Sequence, residues 1–180
     1  MTTTAAVHTT PPATITHTTA VLIGDIGSDI AVYHAQTSDA RIGLIFGTTL
    51  MTFYSAAAVQ GLLEAFAAAR GASTRLPRRM APPSGPAPQG PFARTTLAVE
   101  WTRRPAYCVV PQSGTTKAGT TTAHWIDLHC GPLTFQIRDH IALTSTLLLL
   151  TRTHKTATAV FLDGPRHRTD PTRDDYRPTG

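Results

Sequence analysis

Apolar and polar residues alternate with a period of two in several short runs of this chain, and twice the spacing changes to that of a helix. In the first half, Ile15–Ile26, Ile30–Gln36 and Arg41–Phe46 read as strands broken by Gly-Ser-Asp and Thr-Ser-Asp turns. A short extended piece, Leu50–Phe53, leads into an Ala-rich helix from Ser55 to Arg70. Val59, Leu62, Leu63 and Phe66 share one face of that helix, and Gly71 is placed to end it. In the second half, Thr96–Arg103, Tyr107–Val110, Ala123–Cys130 and Leu133–Arg138 read as strands. Asp139 can then cap a helix that starts at His140 and turns Ile141, Leu148 and Leu149 toward its sheet. The stretch TATAVFL reads equally well as the end of this helix or as a last strand.

The same order of elements thus occurs twice, and the joins GTTLMTF and GPLTF resemble each other. The pattern predicts an α+β protein: two antiparallel sheet-plus-helix units of β-β-β-β-α order, residues 15–70 and 95–163, forming a pseudo-repeat. Between them, residues 71–94 hold six Pro and three Gly and predict a linker or hinge. Residues 1–14, Thr-rich and uncharged, and the polar, Pro-punctuated tail 164–180 lack the apolar surface to offset ordering entropy, which predicts disorder.

Composition narrows the function classes. The longest apolar run, Leu147–Leu150, falls far short of the roughly 20 residues of a membrane span. No basic, apolar-cored leader is evident, and two cysteines make no disulfide framework, so a soluble protein of a reducing cytoplasm is expected. The net charge of +5 invites a nucleic-acid reading, but +4 of it lies in residues 71–94. The two folded units carry −2 and +2, so the charge belongs to linker and tail. Fourteen of the sixteen bases are Arg, a bias expected of a GC-rich genome such as an actinobacterium or its mobile elements.

The most informative surface is the hairpin Ala123–Arg138. Strand alternation turns Ile126, Leu128 and Cys130 inward with Leu133, Phe135 and Ile137. It leaves Trp125, Asp127, His129, Thr134, Gln136 and Arg138 on the outer face. Such a face can stack a base on Trp125 and hydrogen-bond its edges, with Arg103 and Arg104 adding charge. His129 and Cys130 point to opposite faces, and no zinc-ligand spacing occurs, so no metal site is expected. Cys108 and Cys130 sit on strands as packing residues rather than nucleophiles. In SGTTKAGTTT the lysine precedes its glycine, which suits a hairpin loop and not a phosphate loop.

The segment VLIGDIGSDIAVYHA, with Asp25-Ile26-Gly27-Ser28 between apolar strands, resembles the first hairpin of RNase H-like nucleases and of actin-like ATPases, for which the chain is too short. The nuclease resemblance implies Asp25, Glu100 and Asp139 as ligands of Mg²⁺ for phosphodiester hydrolysis. Two features depart from it: Asp25 follows Gly24 directly, and the four residues between LAVEW and AYCVV allow a hairpin but no crossover helix. Duplicated four-strand–helix units also occur in Whirly-type single-strand DNA binders, a likeness of topology alone. The leading expectation is a non-enzymatic accessory or binding protein, with single-stranded nucleic acid as partner. The metal-dependent nuclease and a protein-interaction module of immunity or regulatory type are the alternatives.

Overall fold

The computed structural model describes residues 17–81, 97–115, 119 and 121–177. Eight strands and two α-helices follow in the order β1 (Thr18–Leu22), β2 (Ser28–Tyr33), β3 (Arg41–Phe46), β4 (Thr49–Phe53), α1 (Ala56–Ala69), β5 (Leu97–Trp101), β6 (Tyr107–Thr115), β7 (Thr122–Cys130), β8 (Leu133–Ile137) and α2 (His140–Val160). Short 3₁₀ turns, Arg70–Arg75 and Gly164–His167, follow the two helices. The fold is α+β, as the pattern predicts. None of the described helices is long and apolar enough to cross a membrane.

The sheets are mixed, not antiparallel. The first has the order β2-β3-β4-β5 and the second β1-β8-β7-β6. In each, three consecutive strands form an antiparallel meander, and the fourth comes from the other half of the chain and runs parallel to its neighbour. Thr18 of β1 pairs with Leu133 of β8, and Leu97 of β5 pairs with Thr49 of β4. A parallel neighbour cannot be joined by a tight turn, and an exchanged first strand satisfies that requirement without a crossover inside either half.

The helices cross over as well. α1 packs on β6 and β7 and less on β4, α2 packs on β2 and β3, and the helices pack on each other. Phe135 of β8 stands at the junction, its ring edge-on to Phe66 of α1 (centroids 5.0 Å apart) and to Phe46 of β3 (6.2 Å). The buried apolar residues of both halves form a single core.

Local chemistry sets these elements. Both inner hairpins turn on two residues, Gly47-Thr48 and Gly131-Pro132, and the leading glycines take φ of +59° and +56°. Only a residue without Cβ adopts that conformation cheaply. Ser55 caps α1 through Ala58 N–H and Asp139 caps α2 through Ala142 N–H. Val59, Leu62, Leu63 and Phe66 are buried on α1 as expected. On α2 the buried stripe is instead Ala142, Leu143, Leu147, Leu149, Leu150 and Ala157, while Ile141 is half-buried and Leu148 is 69% exposed. The apolar run Leu147–Leu150 supplies more leucines than one helix face can bury, so one of them must face outward. α2 continues through TATAV to Val160, and no last strand forms there.

Residues 164–177, expected to be disordered, pack along α1. The Gln60 amide donates to the carbonyls of His167 (3.4 Å) and Thr169 (2.9 Å), and Arg70 donates to that of Thr172 (3.0 Å). Buried polar groups on α1 thus receive partners that composition does not reveal. The expected linker is also structured where it is described: His140 N–H donates to Pro77 O, and Met80 N–H to Asp139. Residues 82–94 of it, and the leader 1–14, lie outside the described residues.

Candidate functional site

The outer face of the second sheet assembles much as the strand alternation predicts. Ile126, Leu128 and Cys130 are buried beneath it with Leu133, Phe135 and Ile137. Trp125 and Arg138 lie at one end, where the guanidinium carbon sits 4.6 Å from the indole centroid. That distance is a cation–π stack. The indole also lies against Gly114, where a Cβ would come within 3.1 Å of its Cη2. A larger residue at Gly114 would lift the ring, so Trp125 is held flat between Gly114 and Arg138. Its indole N–H is buried and has no hydrogen-bond partner.

A recess of about 80 Å³ lies at this end of the sheet, where Ala72, Arg75 and Leu76 meet Pro111, Ser113 and His124, residues that alternate with Gln112 and Trp125 and so belong to the opposite face. Arg75 comes from the 3₁₀ turn after α1, so the basic segment does reach this sheet. Further along, the Gln136 amide donates to Asp127 (3.1 Å). The Thr134 hydroxyl lies between His129 Nδ1 (2.8 Å) and His17 Nε2 (2.9 Å), donating to one ring and accepting from the other. The face therefore grades from a cationic aromatic stack to a hydrogen-bonded patch around Asp127, His129 and His17.

Arg103 and Arg104 do not join it. Arg103 is exposed in the turn after β5, and Arg104 turns inward onto α1. There it pairs with the buried Glu64 and donates to Tyr176 Oη (3.1 Å), while Tyr107 and Tyr176 donate to the same carboxylate (3.1 and 2.6 Å). A buried carboxylate needs such neutralisation, so Arg104 is structural and unavailable to a ligand.

The three acids of the nuclease reading are not brought together. Asp139 is fully buried and accepts from Ala142 N–H (2.8 Å), Met80 N–H (2.9 Å) and Gly24 N–H (3.1 Å). Its lone pairs are spent on capping α2 and tying the Gly24 and Met80 segments to its start, which explains an acid ahead of a helix without any metal. Glu100 lies on the other sheet and accepts from Tyr54 Oη (3.1 Å), while Asp25 is exposed in the turn after β1. Among the described residues, no three His, Cys, Asp or Glu side chains converge as metal ligands do. Burial pushes the Cys130 thiol up to about 12, so it stays protonated and inert. Cys108 is exposed on β6, paired in register with His129.

Strand alternation points to the Trp125 face, but its cross-strand neighbour Gln112 follows only from the register of β6 on β7. In comparisons with known proteins, the chain matches no family model, no curated protein and no solved structure.

Proposed function

We propose that the chain is a non-enzymatic binding protein that holds a single nucleic-acid strand against the outer face of its second sheet. The observation that carries this reading is the Arg138–Trp125 stack on that face. Unpaired bases stack on aromatic rings and on guanidinium planes, and a base can extend this stack from Arg138 or take its place on the indole. Arg138 supplies charge of the sign that phosphates require. The Gln136–Asp127 pair and His129 offer donors and acceptors to base edges. The net charge of +5 supports the reading in sign. The shared strand order of the two sheets supports descent from one duplicated unit. Two unpaired cysteines support a reducing cytoplasm, and the Arg-rich composition supports a GC-rich, actinobacterial-type source or one of its mobile elements.

The test is fluorescence anisotropy with labelled single- and double-stranded oligonucleotides at about 50 and 200 mM salt. Single strands are expected to bind, and to bind less tightly at the higher salt as counterion release weakens. Trp125→Ala should weaken binding about 5- to 100-fold, the range of one lost base stack, and Arg138→Ala should flatten the salt dependence. An absence of binding at the lower salt, or binding indifferent to Trp125→Ala and Arg138→Ala, would sink the reading.

A further inference from the structure

The outer face of the first sheet is a second, separate surface with a different chemistry. Register places three rows of side chains across it. Asp29, Ile45, Leu50 and Ala98 form one row, Ala31, Gly43, Thr52 and Glu100 the next, and Tyr33, Arg41 and Tyr54 the last. Ile45 is 49% exposed and its cross-strand partner Leu50 is 40% exposed, although both sit in strands whose other faces are buried. Tyr33 and Tyr54 are also exposed. The Tyr33 ring leans over Gly43, and the Arg41 guanidinium lies 5.1 Å from its centroid. Its described charges are Arg41 against Asp29 and Glu100. That balance disfavours a polyanion.

We infer that this face is an isologous interface with a second copy of the chain, built about a two-fold axis that runs along the strands between β3 and β4. The argument is self-complementarity. Such an axis lays β3 of one copy on β4 of the other, so Ile45 meets Leu50 of its mate and Leu50 meets Ile45. Along the last row, Arg41 meets Tyr54 of the mate, whose hydroxyl is bonded to Glu100, and a cation thereby faces an aromatic ring beside a carboxylate. Asp29 lies over Ala98 and Glu100 over Ala31, so no charge is laid directly on a like charge. An axis at right angles to the strands would instead stack Glu100 on Glu100. Small residues in the middle row let the sheets approach as sandwich layers do.

The area sets the strength. Four strands about 4.8 Å apart and five residues of about 3.3 Å make a patch of about 300 Å². A standard interface covers roughly 800 Å² per partner. The dimer is therefore weak and concentration-dependent, and it leaves the Trp125 face free.

Sedimentation equilibrium of the full chain from about 1 to 100 µM should show monomer passing to dimer and nothing larger. Ile45→Lys and Leu50→Lys should each keep the chain monomeric throughout, with far-ultraviolet circular dichroism confirming that the exposed substitutions leave the fold intact. The register is tested by cross-linking in a Cys108→Ser background. Ile45→Cys chains mixed with Leu50→Cys chains should oxidise to a covalent dimer at least tenfold faster than either alone. A chain monomeric at the highest concentration, a dimer that survives both lysine variants, or cross-linking no faster in the mixture than in the separate chains would each overturn the inference.

Discussion

Asp139 shows how a single residue can be mistaken for a catalytic one. An acid at the end of a strand and the start of a helix suits a metal ligand, yet here its carboxylate accepts from three backbone N–H groups of three separate segments. Removing it leaves one buried and two part-buried donors without their partner, each worth up to about 1–3 kcal/mol and not fully additive. Asp139→Ala is expected to lower the unfolding free energy by about 3–5 kcal/mol in urea titrations. A neutral or stabilising effect would contradict the structural role. The capping part of that role was legible in the sequence, since Asp before an apolar run is a helix start. The bonds to Gly24 and Met80 were not, because they join residues far apart in the chain.

His154 makes a comparable argument for pH. It is buried on α2, and its Nε2 lies 2.6 Å from the carbonyl oxygen of His167. Burial lowers its pKa below the ordinary 6.5, an effect that outweighs the opposing hydrogen bond to His167 and the charge of Asp170. The unfolded chain therefore binds a proton that the native chain resists. Stability is complete above pH 6.5 and falls as the pH drops below that value, by at most about 1.4 kcal/mol per unit for this one group. His154→Gln, which keeps a donor for the carbonyl, should flatten this part of the profile in urea midpoints measured from pH 7.5 to 5. An unchanged slope would assign the acid sensitivity elsewhere.

At the scale of elements, periodicity identifies the faces of strands and helices well and identifies their neighbours poorly. The inward and outward sets of β7 and β8 and the buried face of α1 follow from spacing alone. Spacing does not show which sheet a helix covers, nor that β1 and β5 leave their own halves, because those choices are made by packing between distant segments. Gly61 illustrates the gap. It lies in the middle of α1, where glycine costs about 1 kcal/mol relative to alanine. The sequence offers no reason for it, but the Arg104–Pro105 turn rests directly upon it, and a Cβ there would strike Arg104 Cγ and come within 3.0 Å of Pro105 Cδ. Gly61→Ala should therefore destabilise by about 1–2 kcal/mol despite its better helix propensity. Gly71, with open space where its Cβ would be, is the matched control. Gly71→Ala should stabilise by about 0.4–1 kcal/mol through the unfolded state, and equal effects at both sites would refute the packing argument.

For the whole molecule, exchange of strands and helices makes each half incomplete without the other. Residues 17–81 supply three strands of the first sheet and one of the second, and their helix covers the second. Residues 97–177 do the converse. Cut between the halves, neither fragment can bury its apolar helix face on its own sheet, and each sheet loses its parallel edge strand. Fragments 1–90 and 91–180 produced separately should show little cooperative unfolding and should bind hydrophobic dyes. Mixed or co-expressed, they should form a one-to-one complex with the circular dichroism of the intact chain, and its melting temperature should rise with concentration because association has become part of folding. The intact chain should unfold in a single transition, as one shared core requires. Closing the Thr18–Leu133 pairing joins residues far apart in the chain, so refolding should be slow beside that of a helical protein of equal size. A fragment that alone unfolds cooperatively and gives a dispersed amide spectrum would show that its half carries a sufficient core, and would overturn this account of the fold.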